Sequence, residues 1–413
     1  MLAGLALGGG VQRVSQAHAG IAERVFDSVA KGVGPAVRPV RAVHDGVSRA
    51  AYGAVQVSLS AGARAAGVAA ARRASVDGPA LADVPRARVA LGVLNGAHGD
   101  LLSERVAGLA LPMTLRTDGH DLPVEPEALR AAHPAATGRV VVFLHGLVET
   151  EDAWNFRAER HHGDTSTTYG SLLERDLGCT PVQVRYNTGL RISANGALLD
   201  ALLDELVDAW PVPVRDLVLI GHSMGGLVAR SALAQAGDRT AAGQRRWPGL
   251  VRDTITLGSP HIGAPLEQGV HRLSRSLRRL PETRWLADQL DARSVGIQDL
   301  RHGDLLETDW KGVDVDALRA RRTRIPLHPG ARHFVVLATV TQRTDSRAGR
   351  LLGDLLVPPH SAVGDTGDAD RLAYPEDAVL RLGGLHHFDL LNHPDVYTAI
   401  RTWLTDPPEK GTS

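Results

Sequence analysis

The fold is decided by residues 217–230, which read LVLIGHSMGGLVAR. The apolar residues before the first glycine predict a buried strand, and those after GHSMGG predict a helix, so the chain must turn sharply between them. Three glycines give such a turn the room it needs and leave Ser223 exposed at its tip. The start of the following helix would point free N–H groups at developing negative charge. This context favours a nucleophilic serine over a structural serine in a glycine-rich turn.

Short apolar runs alternate with helical patterns on both sides of this stretch. The runs cover residues 140–144, 182–186, 217–220, 254–257, 334–340 and 379–382. Such alternation is typical of a mostly parallel sheet with helices on both faces. Asp118-Gly119 indicates a hairpin turn between two further strands. We therefore predict an α/β domain over residues 111–405, followed by a flexible tail at 406–413.

Two regions do not follow this alternation. Residues 1–110 are rich in Ala, Gly and Val with apolar residues at helical spacing, which predicts a helical N-terminal region. Its arginines either face water on a bundle packed against the next domain or meet an anionic lipid surface. Residues 264–331 are too long for a simple connection, which predicts a helical cap or lid. The apolar positions of the cap are Leu273, Leu277, Leu280, Trp285, Leu286 and Leu290.

Composition excludes several classes of protein. The 413 residues are 43% hydrophobic and 22% charged, as in an ordinary folded protein. Because 46 Lys and Arg balance 46 Asp and Glu, no net field attracts nucleic acid. The single cysteine, Cys179, leaves no internal disulfide and no cysteine-ligated zinc site. No stretch matches a membrane span or a signal peptide. We expect a cytoplasmic location, with peripheral membrane contact through the N-terminal helices as an alternative.

A second motif, VVVFLHGL, occupies residues 140–147 and predicts a buried strand that opens into a His-Gly loop. In this architecture the first such loop lies beside the serine turn and supplies a backbone N–H to the oxyanion. We assign the N–H groups of Leu147 and Met224 as the two oxyanion donors. His145 is assigned a structural role, because the expected chain order is nucleophile, acid and then histidine.

These residues resemble the α/β-hydrolase superfamily. The segments GHSMGGLVAR at 221–230 and TLGSPHIGAP at 256–265, with the loop at 145–147, are similar to bacterial triacylglycerol lipases and to GPI inositol-deacylase-like hydrolases. The resemblance spans about residues 113–405 and leaves out the N-terminal helices. It implies an α/β-hydrolase fold and a serine esterase or lipase, with an acid after the penultimate core strand and a histidine after the last.

The acid implied by the resemblance is Asp354. It begins the stretch DLLVPPHSA, which is similar to the family's Asp-Gly-x-Val-Pro-x-x-Ser-Ala loop. Leu355 departs from that pattern, because glycine is usual there. Asp345 therefore stays open as the acid, and Asp365 is a further carboxylate after the same strand.

The base implied by the resemblance is His387. Residues 382–391, LGGLHHFDLL, resemble the family's terminal loop, in which the histidine precedes an x-x-Leu-Leu helix start. His386 stays open, since an offset of one residue in a loop depends on its three-dimensional path. Paired histidines also raise the possibility of a metal site, but adjacent side chains diverge and no further ligands stand at suitable spacings. We predict no metal and no cofactor.

Ser223, Asp354 and His387 follow one another in the order expected of this fold. We therefore expect hydrolysis of a small-molecule or lipid ester through an acyl-enzyme. A thioesterase or an acyltransferase would use the same triad, and a non-catalytic scaffold that binds a partner or a membrane is the alternative from another class. Trp154 and Phe156 follow the oxyanion loop and either line the pocket or belong to the core.

Overall fold

The computed structural model describes residues 81–241, 245–263, 294–312, 325–367 and 371–405, which belong to one compact unit. The described strands are β1 (Thr114–Thr117), β2 (His120–Leu122), β3 (Arg139–Leu144), β4 (Thr180–Arg185), β5 (Asp216–His222), β6 (Val251–Leu257), β7 (Arg332–Thr339) and β8 (Val379–Gly383). The described α-helices are α1 (Pro85–Arg105), α2 (Pro126–Ala132), α3 (Ala158–His162), α4 (Tyr169–Leu177), α5 (Ile192–Ala209), α6 (Met224–Ala241), α7 (Val295–His302), α8 (Glu307–Trp310), α9 (Arg347–Leu352), α10 (Pro359–Ala362) and α11 (Pro394–Thr405).

The eight strands form one sheet in the order β2-β1-β4-β3-β5-β6-β7-β8. Strand β1 runs antiparallel to both of its neighbours, and every pairing from β4 to β8 is parallel. Asp118 and Gly119, both with positive φ, make the hairpin turn between β1 and β2. The predicted fold class is confirmed: the sheet is mostly parallel and lies between two layers of helices.

The two faces of the sheet are covered by different helices, as β3 illustrates. Val140, Val142 and Leu144 join the core formed with α5 and α6. Val141 and Phe143 point the other way and join the core formed with α4 and α11. Because both faces are buried, the strand reads as an unbroken apolar run instead of an alternating one. Burial of each such side chain contributes about 1.5 to 3 kcal/mol to folding.

Helix α1 precedes the sheet and is tied to the segment that follows β3. Arg88 Nε lies 2.8 Å from the Asp152 carboxylate, and Arg116 Nε on β1 lies 2.7 Å from Glu151. The hydroxyl of Ser294 donates to the Gly96 carbonyl on α1 at 2.6 Å. The predicted boundary near residue 110 lies after α1, which belongs to the same compact unit as the sheet. Where the N-terminal region is described, α1 is helical.

Several predictions fall on residues outside the described part. These are the helices expected over residues 1–80, the apolar cap positions from Leu273 to Leu290, and the tail at 406–413. The expectation of membrane contact through the N-terminal helices therefore stays a prediction. Of the helices that are described, none combines the length and the apolar character that crossing a bilayer requires.

Candidate active site

Ser223 occupies the turn between β5 and α6, as the sequence predicts. Its φ is +51°, a conformation that L-residues adopt at a cost and that occurs where the surrounding structure enforces it. A Cβ on Gly225 would lie 2.2 Å from the Leu144 carbonyl oxygen, so only glycine lets the new helix approach β3 this closely. The Ser223 N–H donates to the Leu257 carbonyl at 2.8 Å. These contacts fix the serine at the carboxyl edge of the central strands.

Asp354 and His387 meet at the same edge of the sheet. His387 Nδ1 lies 2.7 Å from Asp354 Oδ2, and both residues are almost fully buried. The other carboxylate oxygen, Oδ1, accepts the N–H groups of Leu356 at 3.0 Å and Val357 at 2.7 Å. Since a carboxylate accepts and does not donate, it selects the tautomer of His387 that carries its proton on Nδ1.

The alternatives left open by the sequence lie elsewhere. The carboxylate of Asp345 is 69% exposed and pairs with Arg343. Asp365 Oδ1 accepts the N–H of Gly367 in its own exposed turn. His386 Nε2 lies 3.2 Å from Asp389 and 3.0 Å from Arg157, away from the Asp354 carboxylate. Only Asp354 and His387, among these candidates, are brought into contact.

Leu355, which replaces the glycine of the family pattern, has a backbone conformation that favours glycine. Leu355 has a φ of +81° and a side chain that is 54% exposed. Such a φ is one that glycine adopts freely and a residue with a Cβ adopts at a cost. The loop therefore keeps the shape that glycine would give it, and the leucine occupies that shape under strain.

The backbone N–H groups assigned as oxyanion donors are those of Leu147 and Met224. Across the described residues, neither N–H has a hydrogen-bond acceptor. Met224 is the first residue of α6, where N–H groups are left over by the helix itself. Gly146 lies against Ser223, since a Cβ placed on Gly146 would be 3.0 Å from the Ser223 Cβ. The His-Gly loop and the serine turn are thus in contact.

A cavity of about 170 Å³ opens beside these groups. Its polar lining residues are Glu149, Ser223 and His387, and its apolar ones are Leu147, Val148, Pro260, Ile297, Leu300, Leu356, Val357 and Phe388. Ile297 and Leu300 come from α7, which lies within the predicted cap. Trp154 does not line it: its ring packs 4.9 Å from Phe143 in the core. Phe156 is 43% exposed, beside Phe388.

One contact in the site was not foreseen from the sequence. The Glu149 carboxylate lies 3.1 Å from Nδ1 of His222, the residue before the serine. Burial is the largest single effect and opposes charge on both side chains. Their mutual attraction and hydrogen bonds, together with those of neighbouring groups, outweigh it, so the pKa of His222 is raised and that of Glu149 is lowered. The available signal was an acidic residue two positions after Leu147, inside the loop that borders the nucleophile.

His145 stabilises the His-Gly loop through buried contacts with Gly146 and Tyr186. Its Nδ1 donates to the Gly146 carbonyl at 3.0 Å, its Nε2 accepts the N–H of Tyr186, and its ring stacks on Tyr186 at 4.4 Å. Burial lowers the pKa of this histidine, so that it stays neutral. Within the described ranges no three His, Cys, Asp or Glu side chains are close enough together to hold a metal ion.

A family model described as the PGAP1-like alpha/beta domain matches residues 135–325. Among solved structures, lipase BlEst2 of Bacillus licheniformis in its mature form is 22% identical with a TM-score of 0.42, covering 66% of this chain and 94% of that one. Lipase 1 from Pelosinus fermentans is 12% identical with a TM-score of 0.40, covering 66% of this chain and all of the other (100%). A trigger factor from Parafrankia sp. (strain EAN1pec) is 26% identical over 149 residues, 36% of this chain. That match spans only 27% of the curated protein.

The mostly parallel sheet and the strained serine turn between β5 and α6 are those of an α/β-hydrolase fold. Over residues 135–325 the chain is similar to the PGAP1-like alpha/beta domain.

Proposed function

We propose that this chain is a serine hydrolase that cleaves carboxylic esters with apolar acyl groups. The observation that carries the proposal is the 2.7 Å contact between Asp354 and His387 at an apolar cavity that Ser223 also lines. An acid that orients a histidine, with a serine lining the same cavity, is the arrangement that activates a hydroxyl as a nucleophile.

In the proposed mechanism His387 Nε2 takes the proton of Ser223 as its Oγ attacks the ester carbonyl. The N–H groups of Leu147 and Met224 hold the oxyanion that forms, and Asp354 stabilises the imidazolium. His387 then gives its proton to the departing alcohol. Water attacks the acyl-enzyme with His387 again as the base, which releases the acid and restores the serine.

The lining of the cavity supports an apolar acyl group as the substrate moiety. Eight of its residues are apolar, and the side chains of Leu300 and Val357 are nearly fully buried. An acyl chain placed there would leave water without losing a hydrogen bond, which favours binding by about 25 cal/mol per Å² of apolar surface. A charged acyl group would have no such gain.

The proposal is tested with p-nitrophenyl esters from acetate to palmitate and with a fluorophosphonate that labels activated serines. We expect Ser223→Ala to lose turnover by about 10⁴-fold or more and to lose labelling. Ser166→Ala, in an exposed turn, is the matched control and should keep both. Wild-type turnover in Ser223→Ala, or a folded wild type that neither hydrolyses any ester nor takes the label, would refute the proposal.

A further inference from the structure

Glu149 joins the two elements that carry the proposed catalytic groups. Its Oε2 accepts the Gly146 N–H at 2.5 Å, and the same carboxylate lies 3.1 Å from His222 Nδ1. Gly146 directly precedes Leu147, and His222 directly precedes Ser223. A single carboxylate therefore connects the loop that offers an oxyanion donor to the strand end that presents the nucleophile.

The contacts around Leu147 show what this connection does to the loop. The N–H before it, on Gly146, donates to Glu149, and the N–H after it, on Val148, donates to the Thr188 hydroxyl at 3.2 Å. Val148 has a φ of +61°, so the chain reverses its local direction there. Both neighbouring peptides are thus anchored, and among the described residues the Leu147 N–H lacks an acceptor. Anchoring of this kind preorganises a donor before the negative charge appears.

His222, the partner of Glu149, is buried. The His222 side chain has no exposed surface, and that of Glu149 is 10% exposed. The other charged or titratable groups that face this pair are His145, Tyr186, Asp354 and His387. The rings of His222 and His387 lie 4.8 Å apart, and His222 Nε2 faces the His387 carbonyl oxygen at 3.5 Å. Loss of either partner would leave the other polar group buried without its charge complement, which is costly.

We propose that Glu149 and His222 form an ion pair that sets the position of the Leu147 N–H relative to Ser223. Glu149 is thereby a positioning residue of the oxyanion hole, and the inference rests on the proposed function. An oxyanion hole positioned in this way stabilises the tetrahedral state more than the bound ester. The reason is that the negative charge on the carbonyl oxygen is fully developed only in the tetrahedral state. Loss of the pair should therefore lower kcat more than it raises KM.

The variants Glu149→Gln, Glu149→Ala and His222→Gln test this, with Glu307→Gln as a matched control in an exposed pair with Lys311. Glutamine keeps an oxygen for the Gly146 N–H but loses the charge, so kcat should fall about 10-fold in Glu149→Gln and about 100-fold in Glu149→Ala. KM should stay within about twofold of wild type. Affinity for an alkyl boronic acid, which forms a tetrahedral adduct with the serine, should fall in step with kcat/KM.

The double variant of Glu149 and His222 should be no slower than the slower single variant, because the two side chains act as a unit. Wild-type kcat in a folded Glu149→Ala, or additive losses in the double variant, would overturn the inference. If Glu149→Ala does not fold, Glu149→Gln decides: unchanged kcat overturns the inference, and a lower kcat at unchanged KM supports it. Absence of ester turnover and of fluorophosphonate labelling in wild type would instead count against the proposed function.

Discussion

Asp354 and His387 contact each other twice, through side chains and through the main chain. His387 Nδ1 lies 2.7 Å from Asp354 Oδ2, and the His387 N–H donates to the Asp354 carbonyl oxygen at 3.0 Å. The second contact holds the two loops together even without the first. The main-chain contact therefore fixes the position of the His387 backbone, while the carboxylate orients the imidazole and selects the ring nitrogen that carries the proton.

This separation of roles predicts the effect of Asp354→Asn. The asparagine preserves the shape of the loop but no longer favours a proton on Nδ1, so kcat should fall by about 10³- to 10⁴-fold with little change in thermal stability. The matched control is Asp345→Asn, at the exposed carboxylate paired with Arg343, and should keep wild-type kcat. A larger loss in Asp345→Asn than in Asp354→Asn would show that the acid has been misassigned.

Leu355→Gly should stabilise the protein or leave its stability unchanged. Glycine adopts the φ of +81° found here without strain, which gains on the order of 1 kcal/mol and is offset in part by a more flexible unfolded chain. The measurement is the free energy of unfolding in urea. Leu352→Gly, at an exposed leucine in the last position of α9, is the control and should destabilise by up to about 1 kcal/mol. Equal destabilisation by both substitutions would contradict the strain at Leu355.

Two glycines of α6 should respond to alanine in opposite directions. At Gly225 the new Cβ would meet the Leu144 carbonyl oxygen at 2.2 Å, and since backbone cannot give way easily we expect a loss of about 3 kcal/mol or a failure to fold. At Gly237 the new Cβ would meet no described atom outside its own helix within 4 Å, so alanine should stabilise by about 0.5 to 1 kcal/mol. Thermal unfolding of the two variants checks the pair, and a Gly225→Ala that melts at the wild-type temperature would contradict the close approach.

The contribution of His333 to stability should fall as the pH is lowered from 7 to 4. Burial lowers the pKa of His333 to about 4 from 6.5, and its nitrogens contact Thr254 Oγ1 and the His328 carbonyl oxygen. Between pH 6.5 and about pH 4, His333 is protonated in the unfolded chain and neutral in the folded chain. Unfolding is therefore favoured as the pH falls, and each pH unit in this window lowers the free energy of unfolding by about 1.4 kcal/mol.

His261, whose pKa burial places well below the ordinary value, contributes in the same direction. His333→Gln removes one of these protonation sites and should therefore flatten the pH dependence of the urea midpoint. An unchanged slope in that variant would show that His333 is not among the groups responsible.

The elements that could be predicted from the sequence are those with a local cause. The buried strands read as apolar runs, and the serine turn reads as GHSMGG, because the strain at Ser223 and the close approach at Gly225 restrict the residues allowed. The choice between Asp354 and Asp345 as the acid has no such local cause, because it depends on how the chain folds back after β7. Resemblance to a family could favour Asp354, but spacing alone could not.

Glu149 illustrates what a single sequence leaves hidden. Its role depends on His222, 73 positions later in the chain, and on the proximity of β3 to β5 in the sheet. Neither residue belongs to a periodic pattern, and an acidic residue in a loop is ordinarily solvated. The pairing becomes visible only when the parallel register of the two strands places their carboxyl ends side by side.

The alternation of side chains along β3 has a consequence for insertions and deletions. Loss of one residue from β3 (Arg139–Leu144) would exchange the residues that face the two helix layers. It would also draw Leu147 back along the strand by about 3.3 Å, one residue's rise, away from the serine turn. Length changes in this strand would therefore impair both folding and the position of the proposed oxyanion donor. A deletion scan should find low tolerance in β3.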